Sequence, residues 1–483
     1  MRGEITGDDR FWFDFSTLKF HFGLYFEHGF IFLVCIFDMK RLIDWHLKAW
    51  KNSPKRKPLI LRGARQVGKT YAVRQLGKEF EGMVEVNFEL VPDARSIFEK
   101  DLQPERIIWE LGLLAKTPII PGKTLIFLDE IQAAPQAILA LRYFYELMPE
   151  LHVIGAGSLL DFALEKVGMP VGRVSTLYVY PLSFVEFLSA SKEGQLIDAI
   201  LKQTPFSDII HNKLLDLLGH YLVIGGIPES VASWIETKDP RASYEAQKEL
   251  IQTYQQDFSK YAKKHQIPYL EILFQQIPHF IGEQFKYSSV HGQYKKRELA
   301  PCLDLLRRAN VVHQITHTAG NGTPLGAEVN LEWFKTILLD VGISQALLGL
   351  DLPAWFLNPD KNLINRGAIV EAFVGQELLC YNSPKWKSDL YYWKREEKSA
   401  QAEVDYLFDS QGKIIPIEVK SGHGTTLRSM HQFLSEHPKS QTGVRFWAEN
   451  YSNFDPIQSK PLYAVATLAH PDQQEALLSL LSE

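Results

Sequence analysis

Cysteine is scarce in this sequence. Only Cys35, Cys302 and Cys380 occur in 483 residues, scattered and odd in number. That excludes a disulfide framework and any cysteine-based metal spacing, and it fits a reducing cytoplasm. Charge of one sign is also lacking. A net charge of −5 gives no global attraction to nucleic acid, so any such binding must come from a local patch. No zinc-finger spacing and no heptad run offers an independent nucleic-acid signature. Long hydrophobic runs are missing as well. The apolar stretch 30–37 is too short to span a bilayer, and what precedes it is acidic and aromatic, unlike the basic start of a signal peptide. No integral membrane association is expected. What is present, 46% hydrophobic and 23% charged residues, is the make-up of a globular chain with room for roughly three domains.

Residues 1–38 differ from the rest. Aromatic residues crowd them, whereas a regular helical pattern (Leu42, Trp45, Leu47, Trp50) begins after Met39. We read Met39 as the real start and residues 1–38 as a non-native or disordered extension; the alternative is a membrane-surface anchor.

Residues 63–70 carry the first chemistry. Gly63, Ala64, Arg65, Gln66, Val67, Gly68, Lys69 and Thr70 fit G-x-x-x-x-G-K-[ST], the phosphate-binding P-loop. Two glycines let the loop curl so that backbone N–H groups converge on a phosphate. Lys69 adds a positive charge near the β- and γ-phosphates, and Thr70 a hydroxyl for Mg²⁺. The apolar run 58–61 reads as a strand entering the loop, and Ala72, Val73, Leu76 and Phe80 as the face of a helix leaving it. Downstream, at the distance this fold requires, residues 124–128 form an apolar strand ending in Asp129 and Glu130, a Walker B motif. Asp129 would hold Mg²⁺ and Glu130 orient or deprotonate the attacking water. Residues 152–158 read as another buried strand. Ser158 at its end is either a γ-phosphate sensor or part of a glycine-rich turn. Arg173, before a strand at 177–180, either completes charge neutralisation at the γ-phosphate, within the chain or across the interface of a homo-oligomer, or is a solvated surface charge.

These motifs, with D-E-I-Q at 129–132, G-S-x-L at 157–160 and P-L-S-F-x-E-F-L at 181–188, resemble a predicted AAA+ ATPase family of bacteria and archaea. The resemblance runs from Met39 to the end. It implies ATP and Mg²⁺ as ligands, and a C-terminal domain of poorly defined role. Gly225-Gly226-Ile227-Pro228 is similar to the family's G-G-x-P element, whose proline packs near nucleotide in related signalling ATPases, which makes Pro228 a nucleotide-site residue by resemblance.

Residues 240–263 read as a long linker helix. Residues 287–318 read as a small winged-helix unit, with its helix at 298–309, a strand at 311–316 and a wing at Gly320 to Gly322. Lys286, Lys295, Lys296, Arg297, Arg307 and Arg308 gather here, either to meet DNA phosphates or as a solvated face of a protein-binding domain. Further on, strands at 390–393, 403–408 and 414–420 place Glu403 with Asp405, and Glu418 with Lys420, on single faces. An Asp followed by Glu-x-Lys on the neighbouring strand is the pattern of the restriction-endonuclease-like core, where the acids hold a divalent metal and the lysine positions water. The family's C-terminal domain is similar to that core, which adds a helical acid, here Glu371. The competing reading is a metal-free cluster in which Lys420 pairs with Glu418 or Asp405.

The expected fold is therefore α/β: a P-loop NTPase parallel sheet at 39–190, a helical lid and linker at 191–262, a winged-helix-like region at 263–350 and a nuclease-like α/β domain at 351–483. The expected function is a cytoplasmic ATP-hydrolysing switch acting on DNA, or an ATP-sensing adaptor that binds protein.

Overall fold

The computed structural model describes residues 22–27, 30–35, 39–350, 367–395, 402–422 and 426–481. They divide into two compact units between Met39 and Lys40. The first holds an antiparallel hairpin of β1 (Phe22–Glu27) and β2 (Phe30–Cys35), with Phe22 opposite Cys35. The rest of the expected extension, residues 1–38, lies outside the described residues.

The second unit opens with α1 (Leu42–Asn52), β3 (Leu59–Arg62), α2 (Lys69–Gly77), β4 (Gly82–Asn87), α3 (Ser96–Glu99), α4 (Pro104–Leu114), β5 (Thr124–Asp129), α5 (Pro135–Leu147), β6 (His152–Ala156), α6 (Leu160–Val167) and β7 (Ser175–Tyr178). The five strands from β3 to β7 form one parallel sheet in the order β4-β5-β6-β3-β7. Every residue of β5 and β6 is buried, as a parallel strand covered on both faces requires. The helices α7 (Phe184–Ala190), α8 (Gln195–Leu201), α9 (Asp208–Ile224), α10 (Pro228–Thr237), α11 (Pro240–Tyr261), α12 (Ile267–Gln276) and α13 (Lys296–Arg308) follow. Proline is the first residue of α4, α5, α10 and α11, where its fixed φ suits the first turn and no hydrogen-bonding N–H is lost.

The remaining elements build an eight-stranded mixed sheet. They are β8 (Val312–Thr318), β9 (Val329–Leu338), α14 (Val341–Leu347), α15 (Gly367–Cys380), β10 (Leu390–Lys394), β11 (Glu403–Ser410), β12 (Lys413–Lys420), α16 (Arg428–Glu436), β13 (Gly443–Trp447), β14 (Ser452–Phe454), β15 (Ile457–Pro461) and α17 (Pro471–Ser479). The strand order is β14-β15-β13-β12-β11-β10-β8-β9. β8 and β9, which the sequence places in a winged-helix region ending at residue 350, do not stand apart. β8 pairs in parallel with β10, Leu390 opposite Ile315, so the hairpin extends the C-terminal sheet. The glycine turn 320–322 lies in the connection between them.

Two cores flank the ATPase sheet. One joins Ile60, Val84, Ile126 and Val153 to α4 and α5 through Ile107, Leu111, Leu141 and Phe144. The other carries Leu59, Leu61, Leu125 and Phe127, and continues without a break into Phe258 of α11, Leu273 of α12, Leu299 and Leu306 of α13, and Leu338 of β9. Apolar burial therefore welds the ATPase sheet to the elements that lead into the C-terminal sheet.

Candidate functional site

The loop after β3 takes the shape its glycines permit. Gly63 and Gly68 have φ of +147° and +94°, and Gln66 joins them at +61°. A Cβ on Gly63 would strike the carbonyl of Val179. One on Gly68 would lie 2.9 Å from Arg41 Nη1 and 3.4 Å from Pro228 Cγ. Gly68 also caps α2, so the free N–H groups of that helix open onto the loop. Ala64 and Val67 are buried beneath it, while Arg65 pairs with Asp257 at 2.9 Å and accepts the Tyr254 hydroxyl on its carbonyl, which ties the loop to α11.

Lys69 is buried. Its Nζ donates to the Gly63 and Ala64 carbonyls at 3.1 and 2.7 Å. Burial brings its pKa down to about 8, against the pull of Glu130 and Asp129. Thr70 Oγ1 donates to Asp129 Oδ2 over 3.1 Å, and Asn87 Nδ2 reaches the same oxygen at 3.2 Å. Burial and the neighbouring Glu130 raise the Asp129 pKa. Glu130 stands in the left-handed region (φ 48°), which turns its side chain off the strand, and its Oε2 accepts from Gln132 Nε2 at 2.6 Å. Ser158, buried, follows β6, the strand between β3 and β5. The positions Gly63 to Thr70, Asp129, Glu130, Ser158 and Pro228 thus meet at one end of the sheet. A hydroxyl beside a carboxylate is a hard-oxygen donor pair suited to Mg²⁺, and the curled loop with a buried ammonium suits a polyphosphate.

Arg173 does not join them. Ser175 pairs with Leu59, at the start of β3, whereas the P-loop leaves its end. Arg173 therefore sits at the opposite edge of the sheet, with its Nε on Glu146 at 2.7 Å. A role for it at the γ-phosphate within one chain is corrected by this placement.

Arg41 lies outside every motif. It is 5% exposed, and its guanidinium donates to Val67 O (3.1 Å) in the P-loop, to Tyr180 O (2.8 Å) and to Glu186 Oε1 (2.8 Å). Glu186 in turn accepts from Leu42 N, Ser183 N and the Ser183 hydroxyl. At the next residue, Phe184 N donates to Glu377 Oε1 of α15 at 2.9 Å. Gln376 of α15 accepts from Val341 N, while Asp340 accepts from Gly226 N, just before Pro228. An unbroken polar chain runs from the P-loop to the helix over the C-terminal sheet.

The second constellation is brought together, with an added member. Tyr406 pairs with Ile417, which sets Asp405 opposite Glu418, and Asp405 Oδ2 accepts from Val419 N at 2.8 Å. Lys420 pairs with Glu418 at 2.6 Å. Lys335 of β9, which sequence reasoning missed, reaches Glu371 at 2.9 Å, Glu403 at 2.7 Å and Asp405 at 3.9 Å. Among the described residues no group of three His, Cys, Asp or Glu side chains is arranged to hold a metal ion.

Of the basic residues near α13, Lys286, Lys295, Lys296 and Arg297 are exposed, and several of the six make contacts within the molecule. Arg308 donates to Glu165 of α6 and stacks on Phe162 at 4.7 Å, Lys296 pairs with Glu332 at 3.3 Å, and Arg307 faces Asp304 at 3.9 Å.

Among the described residues no helix is long and apolar enough to cross a membrane. Residues 55–188 match the family model described as AAA domain. Residues 215–354 and 366–463 match two models each described as a domain of unknown function, DUF8612 and DUF4143. Among curated proteins there is no match. Among solved structures, a Walker-type ATPase of Pyrococcus abyssi is 17% identical, with a TM-score of 0.41, over 65% of this chain and 96% of its own. The ORC1 protein of Aeropyrum pernix, solved in complex with DNA, is 13% identical, with a TM-score of 0.26, over 65% of this chain and 91% of its own. The AAA match spans the P-loop and Walker B strand, so the chain carries an AAA-type ATPase domain, which supports ATP binding. Neither model of unknown function bears on the expected nuclease-like identity.

Proposed function

We propose that this protein is an ATP-hydrolysing switch whose nucleotide site acts on its C-terminal region. The observation that carries the reading is the meeting of Thr70 Oγ1 and Asp129 Oδ2 at 3.1 Å, beside Glu130 and under the Lys69 loop. Thr70 and Asp129 would hold Mg²⁺, which would supply positive charge against the charge that develops in phosphoryl transfer. Lys69 and the N–H groups of the loop bind the phosphates. Glu130, held by Gln132, accepts the proton of the attacking water. Ser158 stands as the γ-phosphate sensor and Pro228 closes on the loop from the lid. Arg173, at the far end of the sheet and paired with Glu146, would serve a γ-phosphate only in the site of a second copy, and is otherwise a surface charge. The test is ATP turnover in Mg²⁺ by wild type, Lys69→Ala and Glu130→Gln. Turnover by Glu130→Gln equal to wild type would sink the assignment.

The target of the switch has two readings. One is DNA, through the basic residues of α13 and the C-terminal sheet. The other is a protein partner, with the protein as an adaptor. The turning of Arg308 onto α6 favours the adaptor, since that guanidinium is engaged within the molecule. ATPase rate measured with and without DNA separates the two, and a steep loss of DNA affinity with salt would restore the first.

A further inference from the structure

We propose that the acidic centre of the C-terminal sheet carries its own cation, the Lys335 ammonium, and holds no divalent metal ion. The restriction-endonuclease-like pattern implies a metal at Glu371, Asp405 and Glu418; the donor set does not fit one. Three carboxylates from two elements, Glu371 of α15 with Glu403 and Asp405 of β11, converge on a point, and a nitrogen fills that point. Lys335 is 1% exposed, roofed by α15 and with the Tyr392 ring 5.2 Å from its Nζ. An ammonium has three donors and no acceptor, so carboxylate oxygens at 2.7 and 2.9 Å with a third near 3.9 Å are suitable partners. A divalent ion on Glu371 and Asp405 would have to share the oxygens this ammonium faces, and it would place like charges side by side where water cannot screen them; Glu418, whose Oε2 is buried without a hydrogen-bond partner, is the one acid of the implied metal set that does not pair with Lys335.

The charge balance agrees. Lys394 takes the other oxygen of Glu403 at 3.0 Å, and Lys420 takes Glu418 at 2.6 Å. Four carboxylates therefore face three ammonium groups. For Lys335 burial opposes the charge, but Glu371, Asp405 and Glu403 outweigh it and raise its pKa, which leaves it cationic. Lys420, which a metal-dependent hydrolase would keep for its water, is held by Glu418. The cluster ties β9, α15 and β11 together as a buried ionic joint. The inference is independent of the ATPase reading, which stands or falls on the P-loop variants.

The experiment is a Mn²⁺ titration of the full chain without nucleotide, followed by the EPR signal of free Mn²⁺. Wild type and Asp405→Asn are expected to bind the same amount, with any binding they share removed by Asp129→Asn. Lys335→Ala is expected to gain one Mn²⁺, and Lys335→Ala with Asp405→Asn to lose it again. A Mn²⁺ ion bound by wild type and abolished by Asp405→Asn overturns the proposal. So does a folded Lys335→Ala protein that gains no Mn²⁺. If Lys335→Ala does not fold, the comparison of wild type with Asp405→Asn decides alone.

Discussion

Lys69 in the free protein is a buried ammonium whose charge is lost as pH rises through about 8. Phosphate binding favours the charged form, so below that pH the loop is ready and above it each binding event must also take up a proton. The KM for ATP is expected to rise by up to about tenfold per pH unit above 8, with little change below, in a KM–pH profile. Glu130→Gln is expected to keep ATP binding and lower kcat on the order of 10²- to 10⁴-fold, read by filter binding and phosphate release. Lys69→Ala should lose both. Arg41→Ala removes the guanidinium that spans the P-loop, Tyr180 and Glu186, leaving a buried carboxylate uncompensated. A loss of about 3–5 kcal/mol in denaturant unfolding is expected. At this scale placement was legible in the sequence wherever it is set locally: the glycines, Lys69, Thr70, Asp129 and Glu130 carry their spacing with them. Arg41 and Lys335 were not legible, because their partners lie far along the chain and a lone basic residue is usually solvated.

Among the elements, α15 has two ends with different tasks. Toward its C-terminus Glu377, 1% exposed, has its pKa pushed up to about 8 by burial, with Glu186 adding to the rise and Tyr381, Phe184 N and Tyr221 opposing it. The folded value lies above the ordinary 4.5. Its contribution to stability is therefore full below pH 4.5 and is lost as pH rises through 8. Glu377→Gln keeps an acceptor for Phe184 N and removes the titration. Its melting temperature is expected to fall less than that of wild type between pH 5 and 8, by calorimetry; parallel curves would remove Glu377 as the titrating group. Periodicity showed the strands β10, β11 and β12, since apolar residues recur along them at the right period. It did not show β9, which is buried on both faces near its end and carries Lys335 and Thr336 there, on opposite faces and both polar, so that the strand reads as surface.

Seen whole, residues 40–483 form one compact unit. A chain beginning at Met39 keeps Arg41 and every motif, and it is expected to purify folded and to bind ATP as the full chain does; loss of ATP binding on that truncation would count against it. The order of ATPase, helices and C-terminal sheet was readable because each has its own motif or period. Their fusion was not, because it rests on a core shared between Leu59, Phe258, Leu306 and Leu338, residues that each look like ordinary interior positions. The pairing of β8 with β10 matters for anyone who dissects the protein. A fragment cut at residue 351 would leave behind two strands and Lys335. Its β10 would become a raw hydrogen-bonding edge, prone to stick to other copies. Its acids would stand without their ammonium, free to recruit whatever divalent ion the buffer supplies. Such a piece would aggregate, bind metal, or both, and each result would be a product of the scissors.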